Sequence, residues 1–273
     1  MICGWNELLS ILPGWLAQEV DIHGKNGLQE IRLRLNQPPQ LTMRGKSQFL
    51  TRKITMNDLN FCVNTATKYS PWAATTIAEG YISAPGGHRV GVCGDAIMQG
   101  GQVKGIRNVR SLCVRVAGDY PGIAAPIADL KGSILIIGSP GSGKTTLLRD
   151  LVRQLSAKEN VCVIDQRGEL FPGCFQTGRS MDILSSCEKD RAIDILLRTM
   201  GPDTIAMDEI TRDGDCDALR RAAWCGVRLV ATAHAANEDE LQQRIVYRPI
   251  LQDGIFDTLI VLDKDKTFKT ERI

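Results

Sequence analysis

The sequence predicts an α/β protein in which a smaller α+β domain precedes a mostly parallel sheet, and three observations support that class. From Ser133 onward, short aliphatic runs alternate with helical segments, the rhythm of a parallel sheet covered on both faces. The segment Gly138-Ser139-Pro140-Gly141-Ser142-Gly143-Lys144-Thr145 joins one such run, Ile134 to Ile137, to a helical stretch, Thr145 to Leu155. Before Ala117 the pattern changes to extended segments punctuated by Gly-Gly pairs, which reads as an antiparallel sheet with helices.

Taken in order, Trp5, Leu8, Leu9, Leu12 and Leu16 recur at helical spacing and predict one packed amphipathic helix. Asn6, Glu7 and Pro13 interrupt its apolar run and no basic segment precedes it, so a secretory signal is not expected. Leu28 to Leu35 alternates apolar and basic residues as a strand, Asn36-Gln37-Pro38-Pro39 turns the chain, and Gln40 to Arg44 forms a second strand. Met56 to Tyr69 has helical character, with Thr55 placed to cap it. Tyr81 to Ala84, His88 to Met98 and Val103 to Val116 are extended, with Gly86-Gly87 and Gly100-Gly101 as hairpin turns between them. The turn-rich stretch Gly118 to Ala124 is read as a linker, dividing the chain into an N-terminal α+β domain, 1–117, and a second domain, 118–273.

In the second domain, strands are expected at Ile134 to Ile137, Val161 to Ile164, Thr204 to Met207, Leu229 to Thr232 and Thr258 to Leu262. The tail from Lys264 mixes both charge signs and reads as an edge strand or frayed end, not a binding arm.

Composition narrows the function without naming it. A formal charge of +2 on 273 residues with 5% aromatics gives little footing for a nucleic-acid groove, and no nucleic-acid partner is expected. Nine cysteines without a C-x-x-C pair fit free thiols in a reducing, cytoplasmic setting better than disulfides or a cysteine metal site. Aliphatic runs such as Ile134 to Ile137 are far below the ~20 residues that span a bilayer, so membrane association would pass through a partner or a surface.

The glycine loop carries the chemistry. Its main-chain N–H groups must turn inward and approach phosphate oxygens closely, which a β-carbon obstructs, and the following helix presents its positive end to the same anion. Gly138, Ser139, Pro140, Gly141, Ser142, Gly143, Lys144, Thr145 and Thr146 are the nucleotide-binding candidates, with Lys144 on the β- and γ-phosphates of ATP and Thr145 on Mg2+. Asp203 to Glu209 is an apolar run ending in two carboxylates; Asp208 is expected to hold the magnesium and Glu209 to orient and deprotonate the attacking water. Two other strands end in polar residues, at Asp165 to Glu169 and at Thr232 to His234. Ligands of open parallel sheets sit beyond the strands' carboxyl ends, so Glu169 and His234 should face the crevice of Lys144.

The order of these segments resembles the type II/IV secretion ATPases of the RecA-like P-loop class, with a Walker A loop at Gly138 to Thr145, an Asp box at Asp165 to Glu169, a Walker B segment at Met207 to Ile210 and a His box at Ala231 to Ala235. Within it, Leu28 to Leu35 with Gln37-Pro38-Pro39, and Gly87 to Gly94, are similar to the stage III sporulation protein AA family over nearly the whole chain. That resemblance implies a RecA-like core and a homo-oligomeric, hexameric ring ATPase, grouped here with the AAA+ enzymes. It also implies a place on the mother-cell side of the forespore membranes, with membrane-embedded partners of a secretion-like channel. Two positions depart from the family's pattern: Thr211 where glycine is usual and Gln166 where an acid is common. An arginine completes such sites, and Arg89, Arg107, Arg110 and Arg115 are the candidates. Three readings follow: a motor that moves one domain against the other, a nucleic-acid translocase or helicase, and a nucleotide-dependent assembly switch with little turnover.

Overall fold

In the computed structural model, which describes residues 4–24, 27–43, 45–68, 80–172, 175–263 and 265–273, the change of rhythm along the sequence corresponds to two kinds of sheet. The chain divides into two compact units, Met1–Asp119 with Pro172–Phe175, and Tyr120–Phe171 with Gln176–Ile273.

The first unit opens with α1 (Trp5–Ser10) and α2 (Gly14–Gly24) where one helix was expected. Pro13 is the reason: it has no N–H to give and its ring blocks the preceding turn. The apolar stripe survives the break, since Leu8, Ile11, Leu12, Leu16 and Val20 are all buried in one core. The strands are β1 (Leu28–Arg34), β2 (Gln40–Met43), β3 (Lys46–Phe49), β4 (Tyr81–Ser83), β5 (Arg89–Gln99) and β6 (Gln102–Arg115). They pair antiparallel in the order β3-β2-β1-β6-β5-β4. Alternation sorts β1, with Ile31 and Leu33 fully buried while Arg32 is exposed. The Gly100-Gly101 pair closes the β5–β6 hairpin with both residues at positive φ, where a β-carbon is costly. Helix α3 (Met56–Ala66) begins as expected at Thr55, which accepts from Asp58 N while its own N–H donates to Asp58 Oδ2 at 2.8 Å. The expected ends at Arg44 and Tyr69, and Lys264, lie outside the described residues.

The second unit alternates as the sequence indicates: β7 (Ile134–Gly138), α4 (Lys144–Leu155), β8 (Val161–Asp165), β9 (Met181–Ser185), α5 (Lys189–Thr199), β10 (Thr204–Met207), α6 (Asp213–Trp224), β11 (Arg228–Ala233), α7 (Glu238–Gln243), α8 (Arg248–Gln252), β12 (Thr258–Leu262) and β13 (Phe268–Arg272). The sheet order is β13-β12-β7-β11-β10-β8-β9, parallel throughout except for the edge strand β13. Because both faces are covered, successive residues of β7 enter different cores: Leu135 and Ile137 pack with α5 and α6, Ile134 and Ile136 with α4. Register aligns the strand ends, Met207 beside Ile164 and Ala231, and Ala233 beside Ile137, so the loops that follow β7, β8, β10 and β11 gather along one edge. Strand β9 was not anticipated; it is a half-buried edge strand whose apolar pattern is short and diluted by Asp182 and Ser185.

Candidate nucleotide site at the carboxyl edge of the parallel sheet

The glycine loop leaves β7 at Gly138 and enters α4 at Lys144. Gly141 and Gly143 have φ of 75° and 107°, the left-handed region that glycine occupies without penalty. At Gly138 a β-carbon would lie 2.5 Å from Ser142 Oγ and 2.8 Å from the Leu262 carbonyl, so this position is closed to other residues. Among the described residues Ser142 Oγ is buried and has no hydrogen-bond partner. Pro140 is exposed, and Thr146 is half-buried one residue beyond Thr145 on α4.

Lys144 is folded back into its own loop. Its Nζ donates to the carbonyls of Gly138 at 2.8 Å and Ser139 at 3.2 Å and lies 3.1 Å from His234 Nδ1. Burial lowers its pKa, and the carboxylates of Asp208 and Glu209 act against that shift. Thr145, the next residue, donates its hydroxyl to Asp208 Oδ2 at 2.8 Å. Asp208 Oδ1 accepts from the Thr232 hydroxyl at 2.6 Å, so the carboxylate is clamped between helix α4 and strand β11.

Adjacent residues of a strand point to opposite faces, and a change of backbone conformation brings Glu209 round beside Asp208. Strand β10 ends at Met207, and Glu209 adopts φ 52°, a left-handed conformation that costs a residue with a β-carbon about 1 kcal/mol. Its N–H donates to Thr232 Oγ1 at 2.7 Å and its carbonyl accepts from Lys189 Nζ. The carboxylate then lies 3.3 Å from His234 Nε2 and 3.9 Å from the Arg167 guanidinium. His234 thus stands between Lys144 and Glu209, with one ring nitrogen toward each.

Glu169 reaches the same edge through a loop that Asp165 organises. The Asp165 carboxylate accepts from the N–H groups of Glu169, Leu170 and Phe171 at 2.9, 3.0 and 3.1 Å. Arg149 of α4 donates to the carbonyls of Glu169 and Leu170 from the other side. Glu169 lines a cavity of about 90 Å³ together with Arg167, Lys189, Asp208, Glu209 and Arg212. Gln166, at the position where the family's acid is common, lines it too.

Four residues in this neighbourhood were not assigned roles from the sequence. Thr232 links Asp208 to Glu209, and its signal is a hydroxyl inside an otherwise apolar strand. Lys189 reaches Glu209 from the start of α5, Arg167 from the Asp165 loop, and Lys266 of the β12–β13 hairpin donates to the Gly141 carbonyl. No local pattern distinguishes these three from surface cations. The four arginine candidates belong to the first unit, where Arg89 stacks 3.9 Å from the Tyr81 ring and Arg110 pairs with Asp95 at 2.8 Å. Arg107 lies opposite Asp95 on the ribbon and Arg115 opposite both Glu30 and Arg89.

A parallel sheet with β11 inserted between the glycine-loop strand and the strand that leads into Asp208 has the RecA-like P-loop fold, and the solved structures it resembles include an ATPase and a pilus motor. The Legionella pneumophila ATPase DotB superposes with a TM-score of 0.67 at 17% identity, covering 96% of this chain and 80% of that one. The pilus retraction motor PilT with bound ADP superposes with a TM-score of 0.61 at 17% identity, covering 90% and 76%. These neighbours belong to a different class from AAA+ enzymes, which corrects that part of the expectation. The chain itself belongs to the family described as "Sporulation stage III, protein AA", whose model matches residues 7–271. It is 32% identical to "Stage III sporulation protein AA" of Bacillus subtilis (strain 168), over 96% of this chain and 92% of that one. Among the described residues no helix is long and apolar enough to cross a membrane.

Proposed function

We propose that the chain is a magnesium-dependent ATPase of the secretion type, working as a homo-oligomeric ring, in which residues 118–273 hydrolyse ATP and residues 1–117 form the α+β domain coupled to it. The observation that carries this reading is the 2.8 Å hydrogen bond from Thr145 Oγ1 to Asp208 Oδ2. It joins the hydroxyl after the loop lysine to a carboxylate just beyond the end of another strand, the juxtaposition a nucleotide-bound divalent cation requires. Among the described residues no group of three acidic, histidine or cysteine side chains is arranged to hold a metal ion. Magnesium would be bound mostly through phosphate oxygens and water, with Thr145 and Asp208 as the residues that would hold it, and it would neutralise charge on the phosphates.

The residues divide the work. Main-chain N–H groups between Gly138 and Thr145, all but that of Pro140, which has none, with Thr146 beyond, cradle the phosphates, and Lys144 exchanges its loop carbonyls for phosphate oxygens, gaining a charged partner for neutral ones. Glu209 accepts the proton of the attacking water. His234, between Glu209 and Lys144, keeps the carboxylate oriented and reports whether the lysine has moved to phosphate. Glu169 supplies a further carboxylate at the same cavity. Family membership supports a role in sporulation, and within it the proposed work is to power or assemble a secretion-like channel through membrane-embedded partners from the cytoplasmic, mother-cell side.

The test is calorimetry with ATP and magnesium alongside phosphate release. Native chain should bind and hydrolyse, and Lys144→Ala should do neither. Binding that survives Lys144→Ala unchanged would sink the proposal.

A further inference from the structure

Lys189 is out of place by local rules. It is the first residue of α5, where the helix presents its positive end and an acid or a neutral cap is favoured. It is also 8% exposed, so the ammonium is both buried and set against the helix dipole. A surface salt bridge does not explain it. The acid nearest it, Asp215, is 3.7 Å away and already accepts from Thr211 N, Thr211 Oγ1 and Arg212 N at 2.9, 3.2 and 3.2 Å. The hydrogen bond Lys189 does make goes to the main-chain carbonyl of Glu209. Local disfavour at a residue that contacts the site is the mark of a functional constraint.

We propose that Lys189 is a positioning residue for Glu209, holding its main chain in the left-handed conformation that carries the carboxylate to His234. Two anchors fix that peptide: Thr232 takes the Glu209 N–H and Lys189 takes the Glu209 carbonyl. With either anchor gone, a residue bearing a β-carbon relaxes toward negative φ and swings its side chain toward the opposite face of the sheet. Asp215 organises Thr211 and Arg212, the residues that follow, and keeps the ammonium charged in its buried place. The inference rests on the ATPase reading for its kinetic consequence and on geometry alone for its structural one.

The experiment compares full-length native chain with Lys189→Met, Lys189→Arg and the paired Lys189→Met/Asp215→Asn, which removes both buried charges together. Crystal structures of Lys189→Met, or of the paired variant should the single one fail to fold, are expected to show Glu209 out of the left-handed region. Phosphate release should fall about 100-fold in kcat in both, the scale of a misplaced reacting group, while the ATP dissociation constant stays within about threefold. Lys189→Arg, which retains a donor, should recover most of kcat. Glu209 unmoved in the variant structure overturns the proposal, as does a paired variant with native kcat, since Lys189 would then only balance Asp215. A native chain that neither binds nor hydrolyses ATP removes the ATPase reading instead, and the position of Glu209 still decides whether Lys189 holds it.

Discussion

The two units each contain a histidine whose ring nitrogens are both engaged, and the partners differ. His88 in the antiparallel unit is 1% exposed; its Nε2 lies 2.9 Å from the Gly4 carbonyl, and its Nδ1 accepts from Ala117 N at 3.0 Å. Both partners are main chain, so the ring ties the N-terminal segment to the end of the long hairpin strand. His234 in the parallel unit has side-chain partners, Lys144 and Glu209, that carry opposite charges and have other places to go. A histidine bonded to the backbone serves the fold, whereas one bonded to ionisable side chains serves chemistry, because only the latter changes partners when a ligand arrives.

The largest expected effect belongs to the parallel unit. Glu209→Gln keeps the size of the side chain and removes its basicity, so phosphate release should drop by roughly 10²–10⁴-fold with ATP binding retained. Normal turnover by that variant would break the contrast at its chemical end. Next comes His234→Gln, which keeps a polar side chain of similar reach. The loss of one charge-assisted hydrogen bond, about 1.5–3 kcal/mol, should slow turnover about 10–100-fold without lowering the melting temperature.

The histidine of the other unit should do the reverse. Burial lowers the His88 pKa, with the Gly4 hydrogen bond and Glu7 opposing that shift. The unfolded chain therefore binds its proton at the ordinary value of about 6.5, before the folded chain does. The stability His88 contributes is complete above that value and is lost as the pH falls from there through its folded pKa. Thermal unfolding from pH 8 to pH 5 should show the decline, and His88→Gln should flatten this component while costing about 1–3 kcal/mol at pH 8. An unchanged pH profile in His88→Gln would show that other groups set the acid sensitivity.

This contrast also explains how much was legible in the sequence. The central parallel strands read clearly because both faces are buried and their runs are apolar, as in Ile134 to Ile137, whereas the half-buried parallel edge strand β9 did not. The glycine loop, Asp208 and Glu209 stood at the ends of such runs, where polar residues are conspicuous. Lys189 and Thr232 were not assigned roles because their work depends on contacts with residues 20 and 23 positions away, through a main-chain carbonyl and an amide. The left-handed turn at Glu209 was hidden for a related reason, since tertiary bonds overrule the residue's own preference there. In the antiparallel unit the apolar spacing continues past Pro13 and so points to one helix, while the proline itself divides the segment into two.

The smallest effect sharpens the comparison at the level of helix caps. In the first unit Thr55 and Asp58 cap α3 reciprocally, each side chain accepting from the other's main chain. In the second unit Asn237 caps α7 with one bond, its side chain accepting from Glu240 N at 2.8 Å, on a helix of only 6 residues. Removing one oxygen by Thr55→Ala frees the Asp58 N–H and loosens the return bond, so about 1 kcal/mol should be lost, with Asn237→Ala costing no more. Neither change touches the crevice, so the rate of phosphate release at 25 °C should stay within about twofold of native in both. Denaturant titration of each variant measures the first quantity. A cost for Asn237→Ala well above that of Thr55→Ala would show that the short helix is coupled to the nucleotide site more tightly than its single cap indicates.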